Sequence, residues 1–540
     1  MGKQMKKLTY FLFTLLLLPA LNAQVTNQGQ PLSWSINSLN PVTPEILDEV
    51  IIEYPQTDIV KGNTPFKFGQ EVAVDFSSFQ NGTWDNVDHG RIWRFQIISP
   101  GATSINFIFS DFYIPEGGHL YIYNHDKTDL LGAYTYAQNR PEGQLGTWPV
   151  SGENVWLEYY EPKIYQGKGR LHIAKVVHGF KSILEMEAGR GFDDSSVCNY
   201  DVNCDIGSDF SAHKENLKRS VALLIMGGNI CSGTLINNVE NNQVPYFLTA
   251  NHCDDGNPGT WAFRFNWVSP NPICGTEGNS SNQNFNQTIS GATKLMSNDK
   301  TDVMLVKILG NLPQQWNLFW AGWNRSTTDI PNYTVSIHHP SGDIMKISRD
   351  NNPPTKVEAP FNNNPEVSFW KINNWEIGLT ESGSSGGALF DPNGRIIGQL
   401  AGGMSQCING ANNGLSDYFG RFDISWDYGD SPETRLADWL DPNNTGVIIT
   451  EGLSNPTFEY TGNILVFPNP ASHSIYVNNN SFAGLNFQIY NTLGQIVLQG
   501  PLTQNNNTIN ISPLSEGTFF LRLFDTESDN SMIKQIVIKK

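Results

Sequence analysis

Tyr246-Phe247-Leu248-Thr249-Ala250-Asn251-His252-Cys253 decides the fold: an apolar strand-like run that stops on a histidine and a cysteine. Two further motifs follow in order. The first is Asp299-Lys300-Thr301-Asp302-Val303-Met304-Leu305-Val306, the second Glu381-Ser382-Gly383-Ser384-Ser385-Gly386-Gly387-Ala388-Leu389. A serine hydroxyl is a weak nucleophile at neutral pH. It needs a base within hydrogen-bond reach, and the base needs a carboxylate that fixes its tautomer and stabilises the imidazolium. His252 is the candidate base, Asp302 the orienting carboxylate and Ser385 the nucleophile. The glycines around Ser385 let the N–H groups of Gly383 and Ser385 aim at one developing oxyanion, an approach that a bulky residue would obstruct. Each motif alone is weak; their order, their spacing and the neighbouring cysteine make them a set.

The rest of the composition agrees with a β-rich exported chain. At 540 residues it is too long for one core, so three or four folded units are expected. Charged residues make up only 16%, and short alternating apolar runs lie between Gly, Pro, Asn and Asp, the pattern of antiparallel all-β structure. A formal net charge of −18 argues against binding nucleic acid or anionic membrane, and would slightly favour basic substrates. Lys3, Lys6 and Lys7, the apolar run Leu8 to Leu18, and Leu21-Asn22-Ala23 before Gln24 read as an export signal over residues 1–23. Its removal would leave the chain three charges more negative. No later run reaches the length of a spanning helix.

Six cysteines occur: Cys198, Cys204, Cys231, Cys253, Cys274 and Cys407. In an exported chain without a CxxC pair they read as disulfides that staple a single domain. Upstream, residues 24–190 hold no cysteine. Ile105 to Phe109, His119 to Tyr123 and Val155 to Tyr159 are half-buried strand candidates there, with a turn at Glu116-Gly117-Gly118. The position suggests a β-rich propeptide; an accessory β-sandwich that stays attached is the alternative. Residues 191–450 form the cysteine-bearing block, closed by a helix near Pro432 to Leu440. After a linker at 451–462, residues 463–540 show short, evenly spaced strands, including Asn486 to Tyr490, Gln495 to Leu498 and Phe519 to Leu523, and suggest a small β-sandwich.

The residues Phe247 to Cys253 resemble the histidine motif of trypsin-like serine proteases, and Cys231-Ser232-Gly233-Thr234-Leu235-Ile236 resembles the strand before it. Gly383 to Gly387 resembles the nucleophile motif, and Asp302 before Val303-Met304-Leu305 the orienting aspartate. The resemblance spans about 250 residues and implies a double β-barrel with a cleft between the barrels. Within that family the chain is similar to bacterial lysyl endopeptidases, through Cys198-Asn199-Tyr200-Asp201-Val202-Asn203-Cys204 and His338-His339-Pro340-Ser341-Gly342-Asp343. That likeness implies the pairings Cys198–Cys407, Cys204–Cys274 and Cys231–Cys253. His338 and His339 lack a third metal ligand nearby, so a loop-packing role is expected. The place of the trypsin pocket aspartate is taken by Leu379, while Asp417, in Leu415-Ser416-Asp417-Tyr418-Phe419-Gly420-Arg421, stands where lysyl endopeptidases hold their lysine-binding aspartate. Two features depart from that family. Ala401 replaces a histidine of the substrate-binding strand, and Arg190-Gly191, not a lysine, sits where a maturation cut is expected.

Phe467-Pro468-Asn469-Pro470-Ala471, Ile489 to Gln495, Leu514 to Phe519 and the Lys539-Lys540 ending resemble the C-terminal sorting domains of type IX secretion. The implied partners are that secretion machinery, through residues 463–540, and protein and peptide substrates. A monomer without metal or organic cofactor is expected. Cleavage after lysine is the expected activity. The alternatives are cleavage after arginine or both basic residues, and an inactive protease fold serving as a surface adhesin.

Overall fold

The computed structural model describes residues 29–53, 64–181, 195–276, 280, 287–362, 364–454, 465–478, 484–491, 495–503, 507–524 and 531–540. The expected leader at 1–23 and the Arg190-Gly191 site lie outside them, as does most of the 451–462 linker. The chain divides into two compact units, Met1–Leu453 and Ser454–Lys540. Among the described residues no helix is long and apolar enough to cross a membrane.

Two sheets of the first unit close into barrels, and the strand order shows how. In the first, the hydrogen-bonded order is Gln287–Ser290, Ala262–Phe265, Val221–Met226, Asn229–Leu235, Tyr246–Ala250, Val303–Ile308 and Ala292–Asn298. The strands at its two ends are consecutive in the chain and separated by Gly291 alone, so one bent strand shuts the ring. Gly291 has φ of +90°, a bend that a side chain would strain, and its carbonyl accepts from Leu309 while its N–H donates to Trp261. The second sheet runs Lys346–Asp350, Thr334–His338, Ala388–Phe390, Ile396–Gly403, Asp417–Arg421, Asn364–Ile372 and Thr355–Phe361. Lys346–Asp350, along whose edge the short Tyr200–Asp201 pairs, and Thr355–Phe361 are again chain neighbours, joined through residues 351–354. Helices are few and short. The one expected near 432–440 is confined to Ala437–Leu440, because the residues before it bond elsewhere: Thr434 N–H donates to the Ser431 carbonyl and Leu436 N–H to that of Ser425.

The N-terminal region is a sandwich of two sheets. One runs Glu45–Ile46, Gly90–Ile98, Asn154–Pro162, His119–Asn124 and Leu130–Tyr134; the other Val150–Ser151, Ser104–Tyr113, Arg170–Gly179 and Gly69–Ser77. The strands expected to be half-buried are instead buried on both faces. Leu120 and Ile122 face the core, whereas Tyr121 and Tyr123 are covered by Trp34 from the preceding segment, which meets Tyr123 edge-on at 5.3 Å. The sandwich also shares its core with the first barrel. In strand Val221–Met226, Leu224 and Met226 fill the barrel, while Leu223 and Ile225 join the sandwich core with Ile230 and Ala262. That period-two division leaves the strand with no wet face.

Beside the second barrel, a buried ion cluster ties two distant segments together. Lys346 Nζ lies 2.7 Å from Asp201 Oδ1 and 3.1 Å from Asp343 Oδ2, and all three side chains are at most 5% exposed. Burial pulls the Lys346 ammonium down, yet the two carboxylates together hold it above its ordinary value. Lys346→Ala would strand two buried carboxylates without their cation. We expect a loss of about 3–5 kcal/mol, read as a lower urea midpoint; an unchanged midpoint would show that water reaches the cluster.

The second unit is a small sandwich. A three-stranded sheet (Leu465–Phe467, Ser474–Asn478, Thr508–Asn510) and a four-stranded one (Ile496–Thr503, Gly484–Tyr490, Gly517–Phe524, Ser531–Ile538) share a core that includes Ile475, Val477, Ile489, Leu521 and Ile536.

Candidate active site

His252 and Asp302 meet because of strand register. Ala250, the last residue of Tyr246–Ala250, pairs with Val303, the first of its antiparallel neighbour. The residues just beyond, His252 in a single helical turn and Asp302, therefore emerge at the same end of the barrel. Asp302 has φ of +54°, a left-handed conformation that aspartate tolerates better than most residues. Its carboxylate accepts twice from His252: from the ring Nδ1 at 2.7 Å and from the backbone N–H at 2.9 Å. Burial pushes the Asp302 carboxyl up, and the His252 contacts oppose that shift. The ring is 2% exposed, and its Nε2 has no hydrogen-bond partner. Phe361 stands across the ring at 5.9 Å.

Ser385 comes from the second barrel, on the turn before Ala388–Phe390. The two barrels clasp this turn. Ser232 donates its N–H to the Ser385 carbonyl at 2.8 Å and its hydroxyl to the Gly383 carbonyl at 2.9 Å. Gly386 fits so closely that a Cβ there would come within 2.4 Å of the Ser232 carbonyl and 2.8 Å of Ala250 N. The turn thus abuts strand Tyr246–Ala250, two residues before His252, although no hydrogen bond joins the Ser385 hydroxyl to His252. Ser341 donates to the Ser382 carbonyl at 2.6 Å, and Gly387 to that of Ser384 at 2.9 Å. In a trans peptide the N–H points opposite to the carbonyl, so the Gly383 and Ser385 N–H groups are turned away from those partners. Among the described residues neither N–H donates to another group.

The disulfides are Cys198–Cys407, Cys204–Cys274 and Cys231–Cys253. The last joins the neighbour of Ser232 to the neighbour of His252. Among the described residues Cys231, His252 and Cys253 are also the one cluster of metal-ligating types, but both sulfurs are spent in that bond.

Asp417 is fully buried. Its Oδ2 accepts from Trp375 Nε1 at 2.7 Å, Thr380 Oγ1 at 2.8 Å and Ser405 Oγ at 2.6 Å, and its Oδ1 from Ser405 N at 3.2 Å. Thr380 lies five residues before Ser385, and Ser405 just beyond strand Ile396–Gly403. The carboxylate therefore sits between the segment leading to Ser385 and the strand beside it. Gly403 is opposite Asp417 in the sheet, and a Cβ at 403 would lie 2.0 Å from Oδ1; only glycine leaves that side of the carboxylate clear. Leu379 is buried with Trp375, Leu400 and Phe419, an apolar wall. Ala401 packs with Val367 and Phe369. Sequence reasoning gave no role to Ser232, Phe361, Trp375, Thr380, Gly403 or Ser405, because each acts through contacts outside its own stretch of sequence.

Fold and site define a class: the trypsin-like double β-barrel, with a histidine–aspartate pair from one barrel and a serine turn from the other. Residues 192–420 match the family described as lysyl endopeptidase, C-terminal domain, and residues 465–539 match the secretion system C-terminal sorting domain. The lysyl endopeptidase of Pseudomonas aeruginosa is 27% identical over 286 residues, 51% of this chain and 60% of that protein. The chain thus spans less than two thirds of the curated relative. Among solved structures, the serine endoprotease from Yersinia pestis is 13% identical, with 62% of this chain and 98% of that one covered at a TM-score of 0.27. Kallikrein-related peptidase 10 is 14% identical, with 38% and 91% covered at 0.25. Residues 192–420 are thus similar to a lysyl endopeptidase domain, and the sorting domain of type IX secretion marks the chain for export to the cell surface or beyond.

Proposed function

We propose that the chain is an exported serine endopeptidase that hydrolyses peptide bonds on the carboxyl side of lysine. The observation that carries the reading is the His252–Asp302 pair. Asp302 takes the Nδ1 proton side of the ring, leaving Nε2 as the basic nitrogen, buried and unpartnered, next to the turn that bears Ser385. In this mechanism His252 Nε2 removes the Ser385 hydroxyl proton as Oγ attacks the substrate carbonyl. The Gly383 and Ser385 N–H groups stabilise the oxyanion, and protonated His252 then gives its proton to the leaving amine. Water hydrolyses the acyl-enzyme with His252 again as base. Asp417, held at the end of an apolar wall by neutral donors, would receive the lysine ammonium, and no step draws on a metal.

The N-terminal sandwich fits the role of a propeptide. Phe66–Lys67 pairs antiparallel with Asn229–Ile230, and Gly228 accepts from both Phe68 and Gly69. That pairing uses the strand edge two residues before Ser232, roughly 7 Å along the strand from the group that holds the Ser385 carbonyl. An extended substrate docking along the same edge would have to displace it. Residues 463–540 would engage the type IX machinery.

The reading is tested with a mixed peptide library, comparing the full chain, the processed protein without its N-terminal region, and Ser385→Ala. Cuts after lysine by the processed protein alone are expected. Cuts after arginine as well would keep the triad and revise the pocket. No cuts from processed material would favour the adhesin.

A further inference from the structure

The residue before the nucleophile, Ser384, is held by a hydrogen-bonded chain whose direction can be read atom by atom. Its hydroxyl lies 2.8 Å from His338 Nδ1, His338 Nε2 lies 3.1 Å from the Ser348 hydroxyl, and Ser348 Oγ donates to the Leu379 carbonyl at 2.8 Å. Ser348 has one proton and commits it to Leu379, which can only accept. Toward His338 it must therefore be the acceptor, so His338 carries its proton on Nε2. In the neutral ring Nδ1 is then an acceptor, and Ser384 donates to it. The Ser384 oxygen keeps a lone pair for the Glu381 N–H, 3.2 Å away. Ser384, His338 and Ser348 are all fully buried, so water has no ready means of replacing a lost partner.

Each end of this chain reaches the proposed catalytic turn. Glu381 opens it, and the Glu381 carbonyl accepts from Ser384 N at 3.0 Å, so the Ser384 side chain and backbone lock the same short loop from both sides. The Ser384–Ser385 peptide carries the Ser385 N–H, whose direction is set by where the Ser384 carbonyl points. His338 is the last residue of strand Thr334–His338 and Ser348 belongs to its neighbour Lys346–Asp350, so the anchor is a rigid barrel wall. The expected loop-packing role of this histidine is thereby replaced by a specific polar one.

We infer that His338, as its Nε2–H tautomer, is a positioning residue: through Ser384 it orients the Ser385 N–H and hydroxyl. The inference rests on the peptidase reading above for its kinetic consequence, though not for the tautomer itself.

Two measurements test it. Fluorophosphonate acylation and peptide cleavage are compared for the processed protein and its Ser384→Ala, His338→Ala and His338→Gln variants. An ångström-scale misplacement of reacting groups costs about 10²-fold. We therefore expect kcat to fall about 10- to 100-fold in the two alanine variants with KM changed less than about twofold. His338→Gln, which keeps an acceptor and a donor, should recover part of the loss; a merely structural residue would show no such split or rescue. Nitrogen NMR of histidine-labelled full chain, with His338→Gln identifying the signal, should show the Nε2–H tautomer, and should do so in Ser385→Ala too. Wild-type kcat in folded Ser384→Ala would overturn the inference. So would an Nδ1–H tautomer at His338, a result that stands even if the alanine variants fail to fold. A chain that neither acylates nor cleaves but shows the Nε2–H tautomer would instead sink the peptidase reading and, with it, the kinetic role assigned to His338.

Discussion

Asp417→Asn is expected to lower kcat/KM on lysyl peptides by two to four orders of magnitude. The amide preserves the shape of the carboxylate, and its one oxygen can still accept from Trp375, Thr380 and the Ser405 hydroxyl, so the pocket should keep its walls although the weaker 3.2 Å bond from the Ser405 N–H is lost. What it loses is the charge. An ammonium brought into a buried site without its counter-ion forfeits roughly 3–5 kcal/mol, and each 1.36 kcal/mol is about tenfold in rate. Fluorophosphonate labelling probes the nucleophile without filling the pocket, and should persist. Loss of labelling would mean a damaged fold; unchanged preference for lysine would remove Asp417 from substrate binding. A substitution at Gly403 should act at the same place by a different cause, since any Cβ there would crowd the carboxylate.

Asp302→Asn should cost about 10⁴-fold in kcat with little effect on KM. Asp302 offers two acceptor oxygens to His252, one for the ring and one for the backbone N–H. Asparagine has one. If its amide nitrogen faces the ring, Nδ1 must become the acceptor, the proton moves to Nε2, and Ser385 is left without a base. Stability should not fall in parallel. Burial raises the Asp302 carboxyl above its ordinary range, so its ionised form is held at a cost to folding that a neutral amide does not carry. A variant that is inactive and also markedly less heat-stable would argue that Asp302 is a structural residue.

The all-β class was legible because alternation and turn residues are local signals, and the strands beginning near Ser104, His119 and Asn154 follow them. Exposure was not legible. Tyr121 and Tyr123 sit at alternate positions that alternation alone would assign to water, and it takes Trp34, far upstream, to cover them. The same holds for Leu223 and Ile225, whose outward face is buried only because a separate sandwich lies against it. For the C-terminal unit, the strand reading and the two-sheet arrangement agree, since its alternating residues have just one core to fill.

By itself the sequence determined the residue types that chemistry requires, their order and the glycines that a close-packed turn demands; these are properties of individual residues and their immediate neighbours. It pointed to His252, Asp302 and Ser385 on those grounds, and to Asp417 only through the resemblance to lysyl endopeptidases. Only the tertiary structure decided what holds them: Ser232 across the Ser385 turn, Thr380 and Ser405 on Asp417, and the path from Ser384 through His338 to Ser348. Those partners lie up to 151 positions away in the chain, and serines and threonines are common everywhere. Hydrogen-bond direction depends on distance and on which partner has a proton left to give, and neither exists until the barrels close.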